Sequence, residues 1–347
     1  MDNNKKATPI SSLGEFGLID HLTRSIKIKN PETIKGIGDD AAVLDYRDKQ
    51  VVVTTDLLVE GIHFNLMYVP MKHLGYKAVM SNLSDVFAMN AQPRQITVSL
   101  AISSKFSVEA LDDLYAGIYM ACEKYGIDLI GGDTTSSLTG LVISITALGE
   151  IGKGEAVYRS GAKPNDLICV SGDLGGAYMG LQLLERENEV FKISPNVQPQ
   201  LEGYDYILER QLKPEARGDV INALKTLGIV PTAMIDISDG LSSDLLHICK
   251  ESKAGCRIYE EKIPLDFQTK RFAEELSINP LVAALNGGED YELLFTIPLA
   301  DHDKIKNDPD ITVIGHITAE SEGARLVTGL GSEIPLQAQG WNPLKKG

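Results

Sequence analysis

Four short acidic strings, spread from residue 38 to residue 240, constrain this chain more than any other feature of it. They read Gly38-Asp39-Asp40, Thr54-Thr55-Asp56, Gly131-Gly132-Asp133-Thr134-Thr135 and Asp236-Ile237-Ser238-Asp239-Gly240. Each closes an apolar run, where a strand is expected to stop and a loop to begin. Carboxylates gathered that way repel one another. At about 4 Å and an effective dielectric of about 20, a like-charged pair costs on the order of 4 kcal/mol. A cation between them removes that cost. Magnesium takes oxygen ligands and shares them among a carboxylate or two, water and substrate phosphates. The pattern therefore predicts a multi-metal phosphate site and phosphoryl transfer as its reaction class.

The 347 residues are enough for two domains, and an apolar content of 43% supplies ample cores. A formal net charge of −15 argues against nucleic-acid binding, which needs a basic footprint. It leaves room for an anionic substrate, because local cations can outweigh the global field. Taken alone, the acidic excess speaks for solubility. The four cysteines, Cys122, Cys169, Cys249 and Cys256, form no CxxC pair, and no histidine follows at zinc spacing. Met1 to Ser12 is polar and carries no signal peptide, and no apolar run approaches the roughly 20 residues that span a bilayer. A soluble protein in the reducing cytoplasm is expected, with no membrane partner.

Ser12-Leu13-Gly14-Glu15 fits a capping box ahead of a helix carrying Phe16, Ile19, Leu22 and Ile26. Gln50 to Thr55 reads as a strand ending at Asp56, and Met71 to Met89 as a helix. On that helix Ser81, Asn82 and Asp85 share a face away from Leu74, Ala78, Leu83 and Val86. The face is either a solvated side or a functional one. Ile96 to Ile102 alternates as a half-buried strand. Val108 to Cys122 is helical, with Gly126 placed to cap it. Asp128 to Ile130 and Leu141 to Leu148 are strands. Near Ile151 to Pro164 the chain turns rich in Gly, Lys and Pro, and the domain boundary is set there: 1–150 for an N-terminal ATP, metal and dimerisation domain, 151–347 for a C-terminal α/β domain. In the second half, Leu167 to Val170, Ala233 to Ile237, Tyr291 to Ile297 and Ile311 to Ile317 read as strands. Gly172 to Gly176 opens a helix, Pro214 starts another, and Leu241 to Ile248 continues from the Asp-rich turn. Glu187 to Asp205 reads as a polar, irregular excursion. The mixture of alternating and adjacent strands suits α/β or α+β.

Familiar phosphate loops are missing. The nearest string to a Walker A loop, Gly149-Glu150-Ile151-Gly152-Lys153-Gly154, lacks both the spacing and the hydroxyl after lysine. There is no GxGxxG after a strand and no GxSxG elbow. Each acidic string also has an ordinary reading. Asp-rich turns are common, Thr54 and Thr55 suit any strand, Asp239 can cap a helix, and Asp244, one turn past Gly240, reads as solvated. The paired glycines 131 and 132 would let a backbone approach a ligand closely. Glu289 and Asp290 follow Gly287-Gly288 and point from a sheet end. His63 and Trp341 are single signals.

Taken in order, the strings are far more specific than any one of them. Gly14-Glu15-Phe16, Gly36-Ile37-Gly38-Asp39-Asp40, Thr54-Thr55-Asp56, Asn82-Leu83-Ser84-Asp85, Gly131-Gly132-Asp133-Thr134, Arg159 to Pro164, Asp236 to Leu241 and Gly287-Gly288-Glu289-Asp290-Tyr291-Glu292 resemble the thiamine-monophosphate kinase family over nearly the whole chain. That family lies in the superfamily of aminoimidazole ribonucleotide synthetase. The resemblance implies a two-domain fold whose N-terminal mixed sheet pairs across a homodimer into a barrel. It also implies ATP-dependent phosphorylation of thiamine monophosphate at a site of several magnesium ions. By the same resemblance Asp40, Thr54, Thr55, Asp56, Asp85, Asp133, Asp236 and Asp239 hold metal, with Asp85, Asp133 and Asp239 closest to the chemistry. Gly132, Arg159, Ser238 and Tyr115 would contact ATP, and His63, Glu289 and Trp341 thiamine monophosphate. Two other members of the superfamily fit less well: no cysteine precedes Cys122, and the tail Leu344-Lys345-Lys346-Gly347 lacks one. An aminoimidazole ribonucleotide synthetase-like enzyme and a non-catalytic nucleotide or metal scaffold are the alternatives.

Overall fold

The computed structural model describes residues 33–35, 39, 42–46, 48–103 and 105–339. Asp40, Trp341 and the capping box at Ser12 lie outside the described residues. Two sheets organise the rest. The first contains β1 (Thr33–Lys35), β2 (Ala42–Tyr46), β3 (Lys49–Val59), β4 (Gln92–Ile102), β5 (Asp128–Ser136) and β6 (Val142–Gly152), in the order β1-β2-β3-β6-β4-β5. The second contains β7 (Leu167–Ser171), β8 (Ala233–Ile237), β9 (Ala254–Tyr259), β10 (Glu292–Ile297), β11 (Ile311–Ala319), β12 (Ala324–Val327) and β13 (Glu333–Pro335), in the order β13-β12-β9-β11-β7-β10-β8. The fold is mixed α/β. Among the described residues the first sheet is open, with β1 and β5 as its edges, so no barrel closes within one chain.

Two acidic strings lie inside strands and not at their ends. β3 continues through Asp56 to Val59, because the β-branched run stays paired to β6 from Lys49↔Gly152 to Val59↔Val142. β5 likewise runs through Gly131-Gly132-Asp133 as far as Ser136, held parallel to β4. The helix between those parallel strands, α2 (Val108–Tyr125), starts where the Ser107 hydroxyl accepts from the Ala110 amide and ends on Gly126 at φ 65°.

Before it, α1 (Met71–Ala88) lies between the sheets. Its side chains share one apolar cluster with Val52 and Ile145 of the first sheet and Met234 and Phe295 of the second. Such a helix is buried on every side, not along one stripe. It also touches α2 backbone to backbone. A Cβ on Gly75 would stand 2.0 Å from the Leu114 carbonyl oxygen, and one on Gly117 1.9 Å from that of Lys72. Only glycine permits the approach.

In the second half, α3 (Gly176–Ile193) and α4 (Asp205–Leu212) share a separate helical cluster, α5 (Gly218–Thr226) joins the cluster between the sheets, and α6 (Leu241–Ser252) packs on the second sheet. The segment read as an irregular excursion from Glu187 is helical to Ile193. Glu187 is buried there, and its carboxylate accepts from Arg186 and from the Gln200 amide at 2.8 Å, which pins the following turn back. Among the described residues no helix is long and apolar enough to cross a membrane.

Candidate active site

The polar stripe of α1 is the spine of the site. Lys77, Ser81 and Asp85 recur every four residues, with Ser84 beside them. The stripe is not a wet face: Lys77, Ser81, Asn82 and Ser84 are buried. Each member meets a different element. Ser81, whose hydroxyl donates to the Ala78 carbonyl at 3.2 Å, lies beside Asp56 of β3 and favours its charged form. The Thr54 hydroxyl donates to Asp85 Oδ2 at 2.6 Å. Ser84 Oγ donates to Asp236 Oδ2 of β8 at 2.7 Å. Lys77 Nζ lies 3.0 Å from Glu289 Oε2, in the loop ahead of β10.

The clearest sign of convergence is Tyr291. Its hydroxyl is held well above the ordinary range for a phenol, first by burial and then by the negative charges of Glu289, Asp56, Asp236 and Asp85 around it. Four carboxylates from four elements therefore act on one hydroxyl. Hydroxyl donors partly satisfy them, and Lys77 offsets one charge. Burial raises Asp56 above the usual carboxylate range, while Ser81 and His63 pull it down. His63 Nδ1 accepts from the Val59 amide at 3.0 Å, which leaves Nε2 to carry the proton of the neutral ring. Burial lowers the affinity of that ring for a second proton, against the pull of Glu289 and Asp56. Among the described residues no three His, Cys, Asp or Glu side chains are grouped closely enough to hold an ion by themselves.

The Asp236 to Gly240 string turns a corner at this point. Asp236 is 2% exposed on β8, and the strand stops at Ile237. Gly240 takes φ 103°, and α6 begins at Leu241. Burial raises the Asp239 carboxyl, and Arg159 opposes the shift. Arg159 is fixed at both backbone ends: its amide donates to Asp39 Oδ1 at 2.6 Å and its carbonyl accepts from Ser252 Oγ at 3.0 Å. Asp244 is not solvated. It is 2% exposed and accepts from the Asp239 amide at 3.2 Å, holding the turn from behind. The Ser238 carbonyl accepts from the Glu289 amide at 2.8 Å, so the two loops are joined.

Glu289 sits in a strained turn. Gly288, Glu289 and Tyr291 have φ of 79°, 58° and 53°. Glycine takes its value freely, whereas for Glu289 and Tyr291 such values cost about 1–3 kcal/mol each and persist only where the surroundings enforce them. Here they do. The Tyr291 amide donates to the Ile237 carbonyl at 2.9 Å. Asp290 accepts from the amides of Gly175 and Ala177 at the start of α3, at 2.7 and 3.3 Å. Arg210 reaches Asp290 at 3.6 Å and Glu292 at 2.7 Å, and Arg217 and Ser171 bind the same Glu292 carboxylate.

Burial pushes the Asp290 carboxyl up to about 7, against the opposing pull of Arg210 and the two amides. The unfolded value is near 3.9, so between about 4 and about 7 the native state holds a proton that the unfolded chain has lost. This contribution to stability is complete below about pH 4 and is lost as pH rises through about 7. Asp290→Asn does not titrate. Denaturant unfolding at pH 5 and pH 8 is expected to show the variant gaining on the parent protein by up to a few kcal/mol across that interval. An unchanged difference between the two pH values would refute the assignment.

A second group of predicted residues stands apart. Gly132, Asp133 and Tyr115 line an open cleft of about 450 Å³ with Val98, Leu129 and Thr134. Asp133 is exposed, and its Oδ1 accepts from the neighbouring Thr134 amide at 2.8 Å. Strand register explains the separation. Asp133 pairs with Ser99, Ser99 with Ser144, and Ser144 with Leu57. Directly paired residues share a face and neighbours along a strand do not, so Asp133 lies on the opposite face of the sheet from Asp56. Thr55 belongs to the Asp133 side, donating to the Ile145 carbonyl at 3.1 Å, whereas Thr54 belongs to the Asp85 side. Gly132 has a structural need of its own, since a Cβ there would lie 1.8 Å from the Val98 carbonyl oxygen. Sequence reasoning passed over Lys77, Ser84 and Gln211. Lys77 had a signal, its spacing of four from Ser81 and eight from Asp85, and Ser84 had its place in the Asn82-Leu83-Ser84-Asp85 string; Gln211 had none.

The chain is similar to known proteins over nearly its whole length. Residues 38–151 match the family model described as AIR synthase related protein, N-terminal domain. The thiamine-monophosphate kinase of Aquifex aeolicus is 36% identical over 319 residues, 90% of this chain and 94% of that protein. That of Bacillus subtilis is 34% identical over 343 residues, 96% and 100% of the two chains. The solved AaThiL complex with AMPPCP and TMP superposes with a TM-score of 0.84 at 34% identity, covering 97% of this chain and 99% of that one. With this identity spread over nearly its full length, the chain belongs to the thiamine-monophosphate kinase family.

Proposed function

We propose that this protein transfers the γ-phosphoryl group of ATP to thiamine monophosphate, forming thiamine diphosphate and ADP. The observation that carries the reading is the convergence of Asp56, Asp85, Asp236 and Glu289 around Tyr291, in a chain that matches a complex holding an ATP analogue and TMP. The donor set is hard oxygen throughout, carboxylates braced by hydroxyls, and it fits magnesium that keeps water and phosphate ligands of its own. Asp56, Asp85, Asp236 and Asp239 would hold such ions, with Asp40, Asp133, Thr54 and Thr55 completing the set. Bound there, magnesium would neutralise the two phosphates that must meet.

The remaining work falls to the chain. The nucleophile is a phosphate oxygen already deprotonated at neutral pH, so no strong base is needed. The protein's task is to align donor and acceptor for direct in-line transfer. Arg159, locked through its backbone, presents a guanidinium to the ATP phosphates. Gly132, Ser238 and Tyr115 border the nucleotide. His63 and Glu289 receive the thiamine moiety, and Trp341 offers an aromatic face to the thiazolium, a contact of about 0.5–2 kcal/mol. A homodimer completes the site. Among the described residues the edge strand β5 is open, with Ile130 58% exposed, and a second copy paired along that edge would close the sheets into a barrel.

An assay with ATP and magnesium is expected to convert thiamine monophosphate to thiamine diphosphate. An aminoimidazole precursor or selenide should give no ATP consumption above background. Turnover of either of those, with none of thiamine monophosphate, would end the reading.

A further inference from the structure

We propose that Lys77 is a positioning residue: from α1 it reaches across to the second half of the chain and sets the carboxylate of Glu289 for thiamine monophosphate. The proposal rests on the reading of Glu289 as a substrate contact. Lys77 is buried, and its ammonium makes two bonds, to Glu289 Oε2 and to the Gln211 carbonyl, both 3.0 Å. The Gln211 side-chain amide donates to the same Glu289 oxygen at 3.1 Å. Lysine, glutamine and glutamate thus close a triangle.

Both donors converge on Oε2, which leaves Oε1, among the described residues, as the oxygen available to a ligand. The glutamate side chain stays about one-third exposed, 32%, whereas that of Lys77 is 10%. The exposed partner faces the ligand side and the buried one stands behind it. A flexible glutamate at φ 58° gains direction from this arrangement. Burying an ammonium is expensive unless it is paired and hydrogen-bonded, and here both of its partners are polar groups of the second half of the chain. The charge is therefore accounted for by what it holds. Lys77 also shares its helical stripe with Ser84, which donates to Asp236, with Ser81, which lies beside Asp56, and with Asp85, which accepts from Thr54. One helix face thereby ties the substrate carboxylate to the phosphate-side carboxylates.

The test is a double-mutant cycle of Lys77→Met and Glu289→Gln in the full-length protein. Lys77→Met is expected to raise the KM for thiamine monophosphate about tenfold or more, with the KM for ATP unchanged and kcat within about threefold. In a Glu289→Gln background the same change should add almost nothing, because a positioning residue has nothing left to position. A merely structural lysine would give additive effects and would move both KM values. Gln211→Met, which removes one donor to Glu289 and keeps the ammonium, should reproduce a weaker form of the defect if Lys77→Met folds poorly. Amide hydrogen exchange of the ligand-free protein supplies a readout independent of the reaction. Residues 287–291 should exchange faster in Lys77→Met while α1 stays protected. If the parent protein fails to phosphorylate thiamine monophosphate yet the turn loosens, the functional reading falls and the positioning role stands. If turnover is normal, the cycle additive and exchange unchanged, the positioning role is overturned.

Discussion

Asp133→Asn is expected to lower kcat for thiamine diphosphate formation by about 10³-fold or more while leaving the fold intact. Asp133 is exposed and, among the described residues, bonds only to its neighbour's amide, and exposed substitutions away from special features usually change stability by no more than about 0.5 kcal/mol. The residue differs from Asp236, whose burial at 2% and bond to Ser84 would mix folding with catalysis in any variant. A melting temperature equal to that of the parent protein, with turnover lost, isolates the charge. The register argument gives the experiment a second arm. Asp133 faces away from Asp56 and Asp85 within one chain, so a dimer that pairs along β5 would supply it to the partner's site. Inactive Asp133→Asn and inactive Asp85→Asn, mixed in equal amounts and allowed to exchange subunits, should then recover up to about a quarter of normal activity, because about half the dimers are mixed and each mixed dimer has one intact site of its two. Near-normal kcat in Asp133→Asn alone would remove this residue from the mechanism.

The sequence made some of this legible and hid the rest for definable reasons. Local signals held up: the helix over residues 71–88, the Gly126 cap and the β8 corner at Asp236 are each set by residues within a few positions of one another. The side to which a residue points was legible only where its own element decided it. Asp85 could have faced water or the interior, because a helix pattern does not say whether a second sheet will cover its polar side; here one does. Asp244 was misread for the same reason. The separation of Asp133 from Asp56 depends on three successive strand pairings, each between residues far apart in sequence, and no periodicity encodes that. The strand lengths were underestimated because Thr, Gly and Asp look like loop residues, yet full pairing along β6 and β4 carries β3 and β5 through them. Lys77 was missed because a single lysine on a helix is ordinarily a surface residue. Only its partners, Gln211 and Glu289, show its use.

Glu292→Gln is the substitution expected to cost most in stability. The carboxylate is 1% exposed and accepts from three donors: Arg210, Arg217 and Ser171. Both guanidiniums are largely removed from water, with side chains 13% and 10% exposed. Breaking a buried pair by removing one partner typically costs about 3–5 kcal/mol, because a charge remains without compensation. Here one carboxylate serves two cations, and Asp290 and Asp219 offset only part of the loss. Urea denaturation should show a loss in that range, and the melting temperature should fall by roughly 6–15 °C. Arg217→Met made in the Glu292→Gln background should cost much less than Arg217→Met alone, since it removes a cation whose partner is already gone. The consequence reaches the site through geometry. Glu292 opens β10, and the strained turn at Glu289 and Tyr291 is anchored between that strand and α3. Two left-handed side-chain residues cost about 1–3 kcal/mol each, a load the turn can carry only while both anchors hold. If Glu292→Gln lost less than about 1 kcal/mol, the network would not be acting as a closed ionic cluster, and the rigidity of the Glu289 turn would need another source.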